Sequence, residues 1–429
     1  MEIIVNPERR EWEKLTRRTL PDDPQVEKRV GEIIGRVAAG GDRALREITA
    51  QIDGAAPERL EVTREEMAEA ERSVSPELKK AIATAAENIG KFHRAQMSAE
   101  VDIETMPGVR CVQRTIPIQR VGLYIPGGSA PLFSTVLMLA IPAQLAGCPE
   151  VVLCTPPSKD GTIAPEIIYA AALCGIEKIY KAGGAQAIAA MAYGTESIPR
   201  VDKIFGPGNR YVTKAKQLVS LSQAAIDMPA GPSEVMILAD GTARADFVAA
   251  DMLSQAEHGG DSQAILLTGS RAFAEQVVQN VAAQLERLKR ADTARQALSN
   301  SRIIVLDSPQ ELVAFANAYA AEHLIISMER PWDVASRITA AGSIFIGNYS
   351  PESAGDYASG TNHTLPTAGW AHSYSGVNMD SFVRKVTIQE LTQEGMERLG
   401  GAIIEMAEAE GLDAHANAVR VRLGKQPQE

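Results

Sequence analysis

The stretch DMLSQAEHGGDSQ, residues 251–263, carries an acid, an amide and an imidazole at helical spacing. With Thr242 as N-cap and Gly259-Gly260 as the stop, steps of four and three residues align Phe247, Asp251, Gln255 and His258 on one helix face. Val248 and Met252 lie beside them, so this face is expected to point inward. Buried polar groups must be paired. A metal ion, a substrate or a plain hydrogen-bond network would each meet that demand, and spacing alone does not choose.

A second candidate is Glu322-His323, at the end of ELVAFANAYAAEH and just before the strand-like LIISM. The pair reads equally as a charged helix end, with His near the negative pole of the dipole, or as an acid/base pair at a sheet edge. Asp356 and His363 fall in 347–378, a segment dense in Gly, Ser, Thr, Asn and Pro that also carries Trp370, His372 and three tyrosines. So long a loop in a compact enzyme is functional or disordered, and the aromatics favour an ordered one. His415 alone, on the C-terminal tail, reads as a surface residue, and His93 as a packing or surface histidine. No HExxH and no paired cysteine spacing exists. Cys111, Cys148, Cys154 and Cys174 form no CxxC, and three of them sit in apolar settings. They read as buried thiols, not as disulfides, zinc ligands or nucleophiles.

The elements that must position these groups are legible in outline. The first hundred residues read as helical, with Thr63 and Glu66 at capping-box spacing and Ser75-Pro76 as N-cap and N1. From about residue 110, β-branched runs alternate with helical segments: VGLYIPGG, EVVLCTPP, KIYKAGG and VDKIFGPG, then EVMILAD, QAILLTG, RIIVLDSP, HLIISM and SIFIGN. Two successive series of this rhythm predict an α/β protein with two doubly wound parallel sheets. A final amphipathic helix is expected from about Ile388 to Glu410. Ligands of such sheets bind beyond the carboxyl ends of the strands. The glycine-rich ends collected there are PGG (126–128), AGGAQ (182–186) and FGPGN (205–209). None is a GxGxxG followed by an acidic residue, so each reads at least as readily as a tight turn as a phosphate cradle.

At 429 residues, 45% hydrophobic and 23% charged, the chain has the profile of a globular enzyme of two or three domains. A net charge of −11 argues against nucleic acid as a main partner. The start carries no secretory pattern and no run of about 20 apolar residues appears, so no membrane span and a cytoplasmic location are expected.

The order of the motifs says more than any one of them. VGLYIPGGSAPLFSTVLM, GGAQAIAA, DKIFGPGN, DMPAGPSEV, SQAEHGGDSQ, AEHL, GNYSPESAGDYASGTNHTLPT and LDAHANAV occur in sequence. Together they closely resemble the histidinol dehydrogenase family, over nearly the whole chain from about residue 20. The resemblance implies a zinc-dependent, intertwined homodimer that oxidises L-histidinol to L-histidine through L-histidinal with two NAD⁺. It implies one zinc per subunit on Gln255, His258, Asp356 and His415, the last supplied by the partner subunit, so that active sites are shared. Glu322 and His323 match the catalytic acid/base pair. Ser233, Gln255, His258, His323, Asp356, Glu410 and His415 match substrate contacts, and Tyr124, Gln186 and Asn209 match NAD positions; His363 has a lesser role near the site.

The implied architecture is two incomplete Rossmann-like domains with small N- and C-terminal helical extensions. It comprises a 1–23 extension, a first domain of 24–120 and 233–372 carrying the metal and acid/base residues, a second domain of 121–232 with the NAD contacts, and a 373–429 tail reaching the partner. The chain departs from the family pattern in Gly259-Gly260, where Gly-Pro is expected, and in a longer loop at PPSKDGTIAPE. A relative acting on another small alcohol such as sulfopropanediol, a metal-dependent hydrolase and a silent nucleotide-binding protein are the competing readings. The intact Glu410 and His415 speak against the first, and the presence of Glu322, His323 and every ligand speaks against the last.

Overall fold

Runs of Val, Ile and Leu bounded by Gly or Pro form strands because helices cover both of their faces, and here they gather into two parallel sheets. The structure, a computed structural model, describes residues 1–18, 24–127 and 130–425. Residues 19–23 of the N-terminal segment and Gly128 of the PGG turn lie outside the described residues. The chain divides into a large unit, Met1–Gln96 with Ile118–Phe382, and a small one, Met97–Pro117 with Val383 onward.

In the large unit the first sheet runs Glu2–Val5, Arg302–Val305, Gln263–Thr268, Glu234–Ala239, His323–Ser327, Ser343–Ile346, all parallel. The second runs Lys178–Lys181, Glu150–Thr155, Arg120–Tyr124, Lys203–Phe205, Ala225–Ile226, also parallel. Counting strands within each series, both sheets have the order 3-2-1-4-5, five strands of the Rossmann arrangement. The first adds Glu2–Val5 at its outer edge. Strand cores are fully buried: Val235 to Ala239 and Ile265 to Leu267 are 0% exposed.

Local signals are realised where they are self-contained. Thr63 and Glu66 close a capping box (2.9 and 3.2 Å), and Ser75 caps the helix Pro76–Ala95. The segment 347–378 is ordered, as expected, but it is not all loop. It contains the helix Glu352–Tyr357 and a 3₁₀ turn at Trp370–His372. Asn362 Nδ2 donates to Met138 O (2.6 Å), and Asn88 Nδ2 donates to Ala358 O (2.9 Å). His93 is a packing histidine, buried with its ring nitrogens at Ile89 O (2.8 Å) and Asn362 Nδ2 (3.3 Å).

Three local expectations are corrected. Thr242 does not cap the metal-candidate helix; it turns back to Asp240, and the helix is Ala245–Ala256. The helical run before Glu322 stops at Tyr319, where Ala320 takes left-handed φ 52°, so His323 opens a strand and does not end a helix. The expected helix from Ile388 begins instead as a strand, Val383–Leu391, and becomes helical only over Gln393–Ala409. That strand pairs antiparallel with Val109–Pro117, whose other edge takes Val101–Met106; these three strands and the helices Gln393–Ala409 and Asp413–Arg422 make up the small unit. The alternation in VRKVTIQEL suits a strand once a partner is available, and tertiary pairing outweighs a weak helical period.

Candidate active site

The sheet order brings the acid/base and metal candidates to one edge of the first sheet. Glu234 opens its strand, Glu322 and His323 stand at the start of the neighbouring strand, and Gln255 closes the helix Ala245–Ala256. Ser233 sits one residue before Glu234. This is the amino edge of a parallel sheet, not the carboxyl edge at which ligands were expected. Helices arrive here by their C-terminal ends, whose partial negative charge favours cations.

The backbone of Glu234 organises the cluster. Its N–H donates to Glu322 Oε2 (2.9 Å), and its carbonyl lies 3.3 Å from His323 Nδ1. The same carbonyl and Glu352 Oε1 are both acceptors for the Gln255 amide nitrogen, at 3.2 and 3.3 Å, which turns the amide oxygen away from them. With Nδ1 donating to Glu234 O, His323 Nε2 is left as the free ring atom. It is buried and has no hydrogen-bond partner among the described residues; Asp356 Oδ1, at 3.5 Å, is an ion-pair contact. His258 Nε2 lies 3.9 Å from Asp356 Oδ2. Asp356 is placed by the short helix Glu352–Tyr357, and its carbonyl receives His363 Nδ1 at 2.9 Å. The other His363 nitrogen meets Thr135 Oγ1 (3.1 Å), on a helix of the second sheet.

Burial and crowded carboxylates set the charges. Burial pushes Glu322 and Glu352 up to about 8, against the pull of His323. Burial alone would lower His323, but Glu322, Glu352 and Asp356 outweigh it and push the imidazole up to about 10. Asp356 is held below the carboxylate range, the His323 contacts overcoming its own burial. Burial lowers His258 and His363. Asp251 is pushed up to about 7 by burial, and its charge adds to the rise of Glu352.

His258, Glu352 and Asp356 each turn one donor atom inward, and these atoms lie within 4.8 Å of one another. An imidazole and two carboxylates, with an amide beside them, are the nitrogen and oxygen donors that zinc accepts. The group therefore fits a divalent cation. Glu352 is the residue that sequence reasoning missed. Glu352 and Asp356 are four apart on one helix, so they share a face. That signal was available only to a reader who took SPESAGDY as helix.

The expected NAD positions lie at the carboxyl edge of the second sheet, lining a cavity of about 660 Å³ with Arg29, Asp53 and Tyr211. Tyr124 is buried, and its hydroxyl accepts the Gly184 N–H (3.1 Å). Gln186 is buried and donates to Asp53 Oδ2 (3.1 Å). Asn209 caps the helix Arg210–Ser220, accepting from Tyr211 N and Val212 N at 3.0 and 3.2 Å. Gly206, at φ +125°, admits no side chain, because a Cβ would run into Tyr124 O. Buried Lys216 and Asp227 pair with each other and hold that turn, Lys216 Nζ to Gly206 O (2.7 Å) and Gly206 N to Asp227 Oδ2 (2.8 Å). The longer loop of the sequence reading supplies Pro156, Ser158 and Lys159 to the same cavity wall.

Glu410 and His415 lie in the small unit, Glu410 capping the helix Gln393–Ala409 and His415 on the helix Asp413–Arg422, both exposed. His372 is exposed on its 3₁₀ turn. All four cysteines are free, and burial pushes Cys148 and Cys174 up to about 11 and 12. No thiolate nucleophile is poised among them. Among the described residues no helix is long and apolar enough to cross a membrane.

Comparison with known proteins shows the family of the chain. The family model described as histidinol dehydrogenase matches residues 16–423. A histidinol dehydrogenase of Bacteroides fragilis (strain YCH46) is 56% identical over 423 residues, covering 99% of both chains. One of Vibrio vulnificus (strain CMCP6) is 53% identical, covering 96% of this chain and 95% of that one. The crystal structure of histidinol dehydrogenase from Elizabethkingia anophelis superimposes with a TM-score of 0.96 at 52% identity, over 99% of this chain and 98% of that one.

Proposed function

The chain belongs to the histidinol dehydrogenase family of NAD-dependent oxidoreductases, which oxidise histidinol in histidine biosynthesis, and from that premise we propose a four-electron reaction at a zinc site. L-histidinol is carried through L-histidinal to L-histidine, with two NAD⁺ reduced per turnover. The observation that supports this most directly is the buried Nε2 of His323, without a hydrogen-bond partner among the described residues, beside a cluster of metal-binding donors.

Gln255, His258 and Asp356 would hold zinc, with His415 supplied by a second copy of the chain in a homodimer with shared sites. Glu410 and Ser233 would complete the substrate contacts. Zinc held by these residues would supply a template for the nitrogen groups of histidinol. Tyr124, Gln186 and Asn209 would contact NAD⁺, which supplies the hydride acceptor in each half-reaction.

His323 accepts the carbinol proton at Nε2 while Nδ1 stays donated to Glu234 O. For that it must be neutral. The three carboxylates that raise it are the ones a divalent cation would oppose, which lowers the imidazole toward the working pH. Glu322 accepts a proton from the water that adds to the aldehyde, giving a gem-diol with a second hydride to lose. For that it must be ionised, and a divalent cation at the neighbouring donors would oppose the burial that pushes it up to about 8. No covalent thiol adduct is needed.

The deciding experiment counts NADH formed per L-histidinol consumed by the zinc-loaded protein. Two are expected; one or none overturns the four-electron reading. Shared sites are tested by mixing Gln255→Ala and His415→Ala proteins under subunit exchange. Activity is expected to reappear, and exchanged mixtures that stay inactive would place His415 in the site of its own chain.

A further inference from the structure

The catalytic cluster hangs on the two backbone groups of Glu234, so whatever fixes Glu234 fixes the cluster. Its N–H holds Glu322, and its carbonyl receives His323 and Gln255. Its side chain points the other way and is 2% exposed. There Arg18 grips it in a fork, Nε to Oε2 at 2.8 Å and Nη2 to Oε1 at 2.7 Å. The guanidinium also donates to Tyr319 O (2.5 Å) and to Thr16 O (3.0 Å), and stands 3.6 Å over the Tyr319 ring. Tyr319 closes the helix Pro309–Tyr319, three residues before Glu322, and its hydroxyl donates to Gln263 Oε1 (2.6 Å). One side chain thus ties the origin of two neighbouring strands, Glu234–Ala239 and His323–Ser327, from behind the site.

We propose that Arg18 is a positioning residue for catalysis: its forked grip on the Glu234 carboxylate sets the backbone that aims Glu322, His323 and Gln255. The N-terminal segment is accordingly part of the active-site framework through this contact. A planar fork is needed because a carboxylate held at both oxygens cannot rotate, and a lysine can hold only one point. Without Arg18 the buried carboxylate has lost its cation and must move toward water or recruit another partner. Either response shifts the Glu234 backbone, and misplacement of about 1 Å at a reacting group costs up to roughly 100-fold in rate. The inference rests on the proposed reaction for its kinetic readout and on the proposed zinc site for its metal readout, since Gln255 is aimed by the same carbonyl.

The test compares the full-length zinc-loaded wild type with Arg18→Ala and Arg18→Lys. For Arg18→Ala, kcat for histidinol is expected to fall roughly 10- to 100-fold while the KM for NAD⁺ changes less than about twofold. Zinc should be lost faster to a competing chelator. Millimolar guanidinium should restore part of the kcat of Arg18→Ala and none in Arg18→Lys. Arg18→Lys, which keeps the charge, should fold and still lose kcat several-fold, so it carries the test if the alanine variant does not fold. The proposal is overturned if the folded variants keep kcat and zinc retention within about twofold of wild type. It is also overturned if the loss disappears on cooling and so reports unfolding alone. If the wild type itself fails to oxidise histidinol, the proposed function has failed, and zinc retention alone decides the role of Arg18.

Discussion

Two sheets of one strand order gather their candidate site residues at opposite edges. The second sheet offers its carboxyl edge, where the helices Gly184–Tyr193 and Arg210–Ser220 begin, and where the glycine turns let a ligand approach the backbone. The first sheet offers its amino edge, where helices end and each strand delivers a polar residue before its apolar run. The direction of the peptide dipole separates the two. Helix starts suit phosphates, and helix ends suit a cation and groups that must hold protons. A shared topology can therefore suit two different chemistries, and the difference lies in the polarity of the edge, not in the order of the strands.

The comparison breaks or sharpens most sharply at His323. His323→Asn should lower the first oxidation roughly 100- to 10,000-fold, whereas Glu322→Gln should slow mainly oxidation of added histidinal. Stopped-flow NADH traces with each substrate separate the two, and equal loss of both steps by either variant would contradict the division of labour. A smaller effect is expected at Glu352. Glu352→Gln removes a charge beside the metal donors and weakens the hold on the Gln255 amide, so zinc affinity measured by chelator competition should fall roughly 10- to 100-fold. Unchanged affinity would make Glu352 a bystander. The smallest effect belongs to the other edge. Tyr124→Phe leaves the Gly184 N–H without its acceptor, a loss of about 1 kcal/mol, and should raise the KM for NAD⁺ roughly fivefold with zinc retention unchanged. Loss of zinc in that variant would show that the two edges are not independent.

Much of the fold was legible because its signals are local. Capping at Thr63 and Ser75 needs four consecutive residues, and the βα rhythm is written in apolar runs bounded by Gly and Pro. Misreadings came where a long-range partner decided. Residues 383–391 become a strand because Val109–Pro117 is there to pair with them. The candidate site was legible as residue types in a recognised order of motifs, but Glu352 and Glu234 were not. One was hidden in a segment read as loop, and the other looked like the first residue of an ordinary strand.

The sequence alone determined which segments are helix and strand over most of the large unit, which cysteines are inert, and which residues resemble a dehydrogenase site. Those conclusions follow from periodicity, composition and motif order, all carried by neighbours along the chain. Only the tertiary structure decided that the candidate site residues gather at the amino edge, that one residue's backbone holds three side chains, and that Arg18 grips that residue across 216 positions. Such choices depend on which strands become neighbours and in what register. That is settled by the burial of whole faces against one another, and no local window of sequence contains it.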